Sequence, residues 1–245
     1  MARVRNLSAP PIQEAVIDFL FDCEPLSEDR VRRLSKTIGK QPGWTTEDIR
    51  QIKSTVNLQD PSSSAYSDTF EGVLSKSADE LNIVQIRGDR ITVSNVWSYR
   101  HWESLEEFAF SCVDEFVREV GSVAVKRLAT RFINAMPLKI SLEEMLSQPP
   151  RVDLADAEVA EFFDRKLLKF KEGGLIASFS LGTSTTPVML GGNPVRALIV
   201  DVDAYMDGVF SCDRHSLNSA LSELRDAKNR IFFGALTEAA LGDHQ

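Results

Sequence analysis

The sequence carries none of the short signatures that announce a chemistry. It has no Gly-x-Ser-x-Gly elbow, no Walker phosphate loop, no Gly-x-Gly-x-x-Gly turn and no His-Glu-x-x-His pair. Histidine is scarce, and His101, His215 and His244 have no metal-ligating neighbours at helical spacing. Cysteine is equally scarce. Cys23, Cys112 and Cys212 are odd in number and far apart, which excludes a zinc finger or a disulfide framework and fits free thiols in a reducing cytosol. No stretch approaches the roughly 20 apolar residues of a membrane span, and Met1 to Arg5 are followed by no apolar run of a secretory signal. Surplus positive charge is missing too. A net charge of -8 disfavours a nucleic-acid binder, whose affinity comes from clustered Lys and Arg on phosphates. These absences predict a cytoplasmic protein with no cofactor and no membrane partner.

What is present is the patterning of an α+β chain. After an extended arm ending at Pro10 and Pro11, residues 12–21 alternate, with Ala15, Ile17, Phe19 and Phe21 on one face and Glu14, Val16 and Asp18 on the other. That period of two predicts a half-buried strand. Ser27, followed by Glu28 and Asp29, predicts a helix start, and Val31, Leu34 and Ile38 keep helical spacing until Gly39. A strand over 44–59 follows, with Ile49 and Ile52 out of phase. Strands near 66–76, 81–86 and 90–95 form an antiparallel meander. Trp97, Tyr99 and Trp102 precede a helix predicted to be capped by Ser104 with Glu107 as its capping-box partner. Phe108, Cys112, Phe116 and Val120 mark its buried face.

Residues 125–136 form the clearest strand, ended by Pro137, and a short helix follows over 141–146. Beyond the Pro149–Pro150 connection, strands over 167–171, 175–181, 188–190 and 195–205 lead into a helix over 216–241 that is interrupted near Gly234. Strands then helix thus occur twice. The expectation is antiparallel sheets in two similar β-rich halves, 1–148 and 149–245, each backed by a long helix, or one continuous domain.

The candidate functional residues are charged groups on strands. Arg127 and Arg131 lie four apart, hence on one strand face, and form either an anion clamp or cross-strand ion pairs with Glu14 and Asp18. Asp201 and Asp203 share a face and form either a hard-oxygen site for a divalent cation or a solvent-facing ladder with Leu198, Val200 and Val202 inward. Asn229, disfavoured inside a helix, implies a specific partner, read as a hydrogen bond to a strand end. The arm 1–11 is read as unanchored, free to fray or to add to a partner's sheet edge.

Three segments together carry a resemblance: Ala9-Pro-Pro-Ile-Gln-Glu-Ala-Val-Ile-Asp-Phe19, Arg127-Leu-Ala-Thr-Arg-Phe-Ile-Asn134 and Leu224-Arg-Asp-Ala-Lys-Asn-Arg-Ile-Phe-Phe233. In order, and spanning nearly the whole chain, they resemble a sporadically distributed family of uncharacterised bacterial proteins of about this length. In that family the middle motif runs Arg-Tyr-Ile-Asn-Arg-Ile. Here Phe132 stands for the Tyr and Ala135 for the second Arg. The resemblance implies no activity. It marks Glu14, Arg127, Arg131, Asn134, Lys228, Asn229 and Arg230 as motif positions, and a patchy accessory gene of the defence or toxin–antitoxin kind. The leading expectation is therefore a non-enzymatic binding protein with a protein partner or a second copy of itself. The alternatives are a sensor of a small anionic ligand or nucleotide through Arg127 and Arg131, and a metal-dependent enzyme on Asp201 and Asp203.

Overall fold

The computed structural model describes residues 5–40, 42–55, 65–97, 99–151, 159–171, 173–190 and 192–244. The chain is α+β. Its elements in order are β1 (Ile12–Phe21), α1 (Glu28–Ile38), β2 (Thr45–Thr55), β3 (Ala65–Lys76), β4 (Asn82–Arg87), β5 (Arg90–Val96), α2 (Trp102–Val120), β6 (Ala124–Pro137), α3 (Leu142–Met145), β7 (Phe163–Lys169), β8 (Ile176–Thr183), β9 (Val188–Leu190), β10 (Asn193–Val195), β11 (Ala197–Ser211), α4 (Arg214–Ala235) and α5 (Glu238–Leu241).

Nine strands form one antiparallel sheet in the order β2-β3-β4-β5-β1-β6-β11-β8-β7, and β9 with β10 makes a separate hairpin. β1 and β6 pair from Ile12 opposite Asn134 to Phe21 opposite Val125. β6 in turn pairs with β11 along nearly its whole length. Strands from before and after Pro149 thus hydrogen-bond within a single sheet. The connection proposed as a boundary includes residues 152–158, which lie outside the described residues.

Alternation sends one set of side chains from each strand under the helices. Ile17, Phe19 and Phe21 of β1, Leu128 and Phe132 of β6, and Leu198, Val200 and Val202 of β11 are all fully buried. Phe21 stacks on Phe116 of α2 at 4.0 Å between ring centroids. A second cluster, under α4 and α5, gathers Met136, Met145, Leu146, Phe232, Phe233 and Leu236. The opposite face, with Asp18, Arg127, Arg131, Asp201, Asp203 and Tyr205, carries no helix among the described residues. Also among the described residues, no helix is long and apolar enough to cross a membrane.

Local signals read correctly in most places. Gly39 and Gly121 follow the last residues of α1 and α2, and the short helix expected over 141–146 is present as α3, held by a capping box of Ser141 and Glu144. Gly173 and Gly174, at φ 74° and 65°, make the turn between β7 and β8, where two consecutive left-handed residues are needed. β2 is an edge strand that buries almost nothing on either face, which is why Ile49 and Ile52 show no usable phase. α2 departs from expectation. It starts at Trp102, with His101 at the cap position, and Ser104 lies inside it. The physical reason is Trp102, which is 3% exposed, stacks beside Phe132 at 6.2 Å and donates from Nε1 to Glu106 at 3.0 Å. Docking that indole draws the helix start three residues earlier than the hydroxyl cap would.

Truncating Phe116 to Ala is expected to cost about 3–5 kcal/mol, because the ring leaves a cavity between α2 and β1. Truncating Phe163, which is 74% exposed, is expected to stay within about 0.5 kcal/mol. Urea unfolding of both variants measures the contrast.

Candidate functional site

The charged residues singled out on the strands sit on the open sheet face and largely satisfy one another. Arg131 makes a two-pronged contact with Asp201, Nε to Oδ1 at 3.0 Å and Nη2 to Oδ2 at 2.7 Å. Asp203 stands directly opposite Arg131 in the register. Its carboxyl is raised above the usual range by burial, offset by Arg131 and reinforced by Asp201. Arg127 lies over the Tyr205 ring at 3.7 Å and reaches Asp207 at 3.6 Å. Asp18 accepts from the Thr92 hydroxyl and faces Arg90. Glu14 adds to the negative field around Arg131. Arg127 and Arg131 thus pair across strands within one sheet, but with Asp207 and Asp201 of β11 instead of the expected Glu14 and Asp18, because β11 lies beside β6 and Asp18 is met by Arg90. A shallow trough of about 530 Å³ runs over Arg131, Asp201, Asp203 and the serines of β8. Arg131 is taken up by Asp201 and Arg165 donates to the Ser178 hydroxyl, and no group of three or more His, Cys, Asp or Glu side chains able to hold a metal exists among the described residues. Arg230 is exposed, its guanidinium 5.6 Å from the Phe170 ring.

The remaining motif positions, Asn134, Lys228 and Asn229, lie on the helix-covered side and meet in a cleft of about 490 Å³. Three elements build it. The arm supplies Arg5, Leu7, Ser8, Pro10 and Pro11. The segment entering α2 supplies Tyr99, Arg100, His101 and Glu103. α4 supplies Arg225, Lys228, Asn229 and Phe232. Arg225, Lys228 and Asn229 stand at i, i+3 and i+4, so one helix face presents all three. The arm is anchored, contrary to the sequence reading. Arg5 pairs with Glu238 at 2.8 Å, Ala9 donates its N–H to the His244 carbonyl at 3.3 Å, and the His244 ring meets the Ala9 carbonyl at 2.8 Å. Leu7 packs against the second core cluster, which gives this short polar stretch an apolar foothold.

Asn134 occupies the point where β1 and β6 slip register, between Ile12 and Glu14. Its Nδ2 donates to the Val200 carbonyl at 3.0 Å, so the strand end is satisfied by Asn134 itself. Asn229 makes no such bond among the described residues, which corrects the expectation of a strand-end partner and leaves its amide facing the cleft.

Lys228 decides the character of the site. It is 9% exposed, its Nζ lies 3.8 Å from the centroid of Phe132, and no hydrogen bond or ion pair reaches it among the described residues. Burial, with Arg225 nearby, pushes its ammonium down to about 7. Phe132 is itself wedged between Trp102 and the edge-on Tyr99, 5.4 Å away. Burial likewise pushes the Tyr99 hydroxyl up to about 12. The lining holds four cations, Arg5, Arg100, Arg225 and Lys228, against one carboxylate, Glu103, which is 3.6 Å from Arg225. The Arg5 Nε is buried without a hydrogen-bond partner, and Arg100 has no ion pair among the described residues. In a chain of net charge -8 this is a concentrated positive spot. Sequence reading took Asn134 and Lys228 from the resemblance, and Asn229 also from its disfavoured place inside a helix, but missed Arg5, Arg100 and Arg225. The spacing of Arg225 to Lys228 and Asn229 was the available signal.

No protein-family model matches the chain, and a search of curated proteins finds no match to it. The site is read from its geometry alone.

Exchanging Lys228 for Met is expected to stabilise the protein. The folded-state value lies below the ordinary 10.5, so the unfolded chain binds more protons between about pH 7 and 10.5, and stability rises with pH across that window. The cost of the buried charge is complete below pH 7, with an upper limit of about 5 kcal/mol. Urea titrations at pH 6 and pH 9 should show Lys228→Met more stable than the parent at pH 6, by about 1–4 kcal/mol, with the gap narrowing at pH 9. A variant less stable than the parent at pH 6 contradicts the reading of an uncompensated ammonium.

Proposed function

We propose that the protein is a non-enzymatic binding module whose cleft between the arm, the entry to α2 and α4 holds an anionic group of its ligand. The observation that carries this reading is Lys228, a buried ammonium without an acidic partner among the described residues. An unpaired buried charge is expensive, and the Phe132 ring beneath it offsets only part of that cost. An incoming anion supplies the missing partner. Asn229, Arg225, Arg5 and Arg100 converge around it with hydrogen-bond donors, and in a low-dielectric cleft such charge-assisted bonds are strong.

The anionic ligand expected from the sequence is kept in this reading, but its place moves from Arg127 and Arg131 to Lys228, because the strand arginines already have carboxylate partners. The two-halves organisation is part of the same proposal. β6, the last strand of the first half, pairs with β11, the last strand of the second, so the two halves meet at that ladder. The cleft is walled by α4 of the second half and by the arm and the start of α2 of the first. The resemblance to patchily distributed bacterial proteins favours an accessory role, in which an occupied cleft reports a ligand to a protein partner or to a second copy.

Thermal denaturation in sulfate, phosphate and dicarboxylate solutions against chloride at equal ionic strength tests the site. A ligand present at about 100 times its dissociation constant stabilises by about 2.7 kcal/mol. The parent and Arg131→Ala are expected to rise in Tm together, and Lys228→Met to stay flat. Equal shifts in the Lys228 variant remove the cleft from consideration.

A further inference from the structure

We propose that the ligand of this cleft is a small phosphate monoester whose phosphate sits against Lys228 and Arg100 and whose body is apolar and ring-sized. This deepens the anion-binding reading and rests on it. Of the four lining cations, Arg225 faces Glu103 and Arg5 pairs with Glu238, which leaves the two charges of Lys228 and Arg100 without an acidic partner among the described residues. A monocarboxylate offsets one of them, whereas a phosphate monoester at neutral pH brings close to two negative charges.

The donors point the same way. The three N–H groups of Lys228 are unused among the described residues, the Arg5 Nε is buried without an acceptor, and Arg100 has no ion pair among them. A carboxylate offers two acceptor oxygens, and a monoester offers three terminal oxygens to meet donors arriving from the arm, the loop and α4. A phosphodiester within a nucleic-acid strand has one charge and two terminal oxygens. It also needs an open basic track, where this site is a cleft walled by the arm in a strongly acidic chain.

The cleft is also too large for phosphate alone. At about 490 Å³ it falls within the range of sites that enclose small organic ligands. Beside the cations and polar groups such as Asn134 and Asn229, the lining includes the apolar or aromatic Leu7, Ile12, Tyr99 and Phe232. Tyr99 is half-buried and holds its edge to Phe132, so its ring forms a fixed wall.

Isothermal titration at pH 7.5 with inorganic phosphate, phenyl phosphate, benzoate and succinate tests the assignment. Phenyl phosphate is expected to bind about five-fold or more tighter than inorganic phosphate, and about ten-fold or more tighter than either carboxylate. Lys228→Met should weaken phenyl phosphate about ten-fold or more, and Arg100→Ala, at an exposed position outside the core, about five-fold. Carboxylates that bind as well as phenyl phosphate overturn the monoester assignment while leaving the anion cleft standing. Phenyl phosphate no tighter than phosphate overturns the apolar body. No binding by any of the four overturns both the assignment and the reading beneath it.

Discussion

The pairing of β1 with β6 is the constraint on which the rest of the molecule depends. These strands come from positions more than a hundred residues apart, and their ladder makes one sheet out of everything that precedes and follows them. Because the connections return to the same side, α1, α2 and α4 all rest on one face. The other face is left to charged side chains, which pair across strands at a gain of only about 0.2–1 kcal/mol each. The seam is also where the ladder slips, between Ile12 and Glu14 opposite Asn134, and the cleft opens beside that slip.

Phe132 links the packing to the site. Its ring is fully buried, stacks with Trp102, takes the edge of Tyr99 and lies under the ammonium of Lys228. A cation over an aromatic face gains about 2 kcal/mol when desolvated, less than burial of the charge costs. Core and cleft are therefore in tension at one residue pair, as expected where binding is favoured over stability.

Much of the fold was legible. Alternation located β1, β6 and β11 because each is buried on one face and polar on the other, the condition under which a period of two appears in sequence. β2 was indistinct for the opposite reason, exposure on both faces. The start of α2 was misplaced because Ser104 and Glu107 satisfy a local rule that a tertiary contact, Trp102 against Phe132, overrides. Of the site, periodicity placed Arg131 and Asp201 each on a strand face, but their pairing depends on β6 lying beside β11, which no local pattern announces. The cleft did not, because it joins residues from opposite ends of the chain. No local pattern relates Arg5 and Arg100 to Lys228, and the polar composition of the arm hides the foothold of Leu7.

The manner in which the arm is fastened sets how the cleft exchanges with solvent. Among the described residues, its links to the body of the protein are a partly exposed ion pair between Arg5 and Glu238, a few bonds between Ser8, Ala9 and His244, and the side chain of Leu7. The arm meets the sheet at its last residue, where the Ala135 N–H donates to the Pro11 carbonyl. Such a segment detaches by local opening at a free energy far below that of global unfolding. On the proposed reading, the residence time of an anion against Lys228 is governed by the opening of this arm, while the nine strands behind it stay closed.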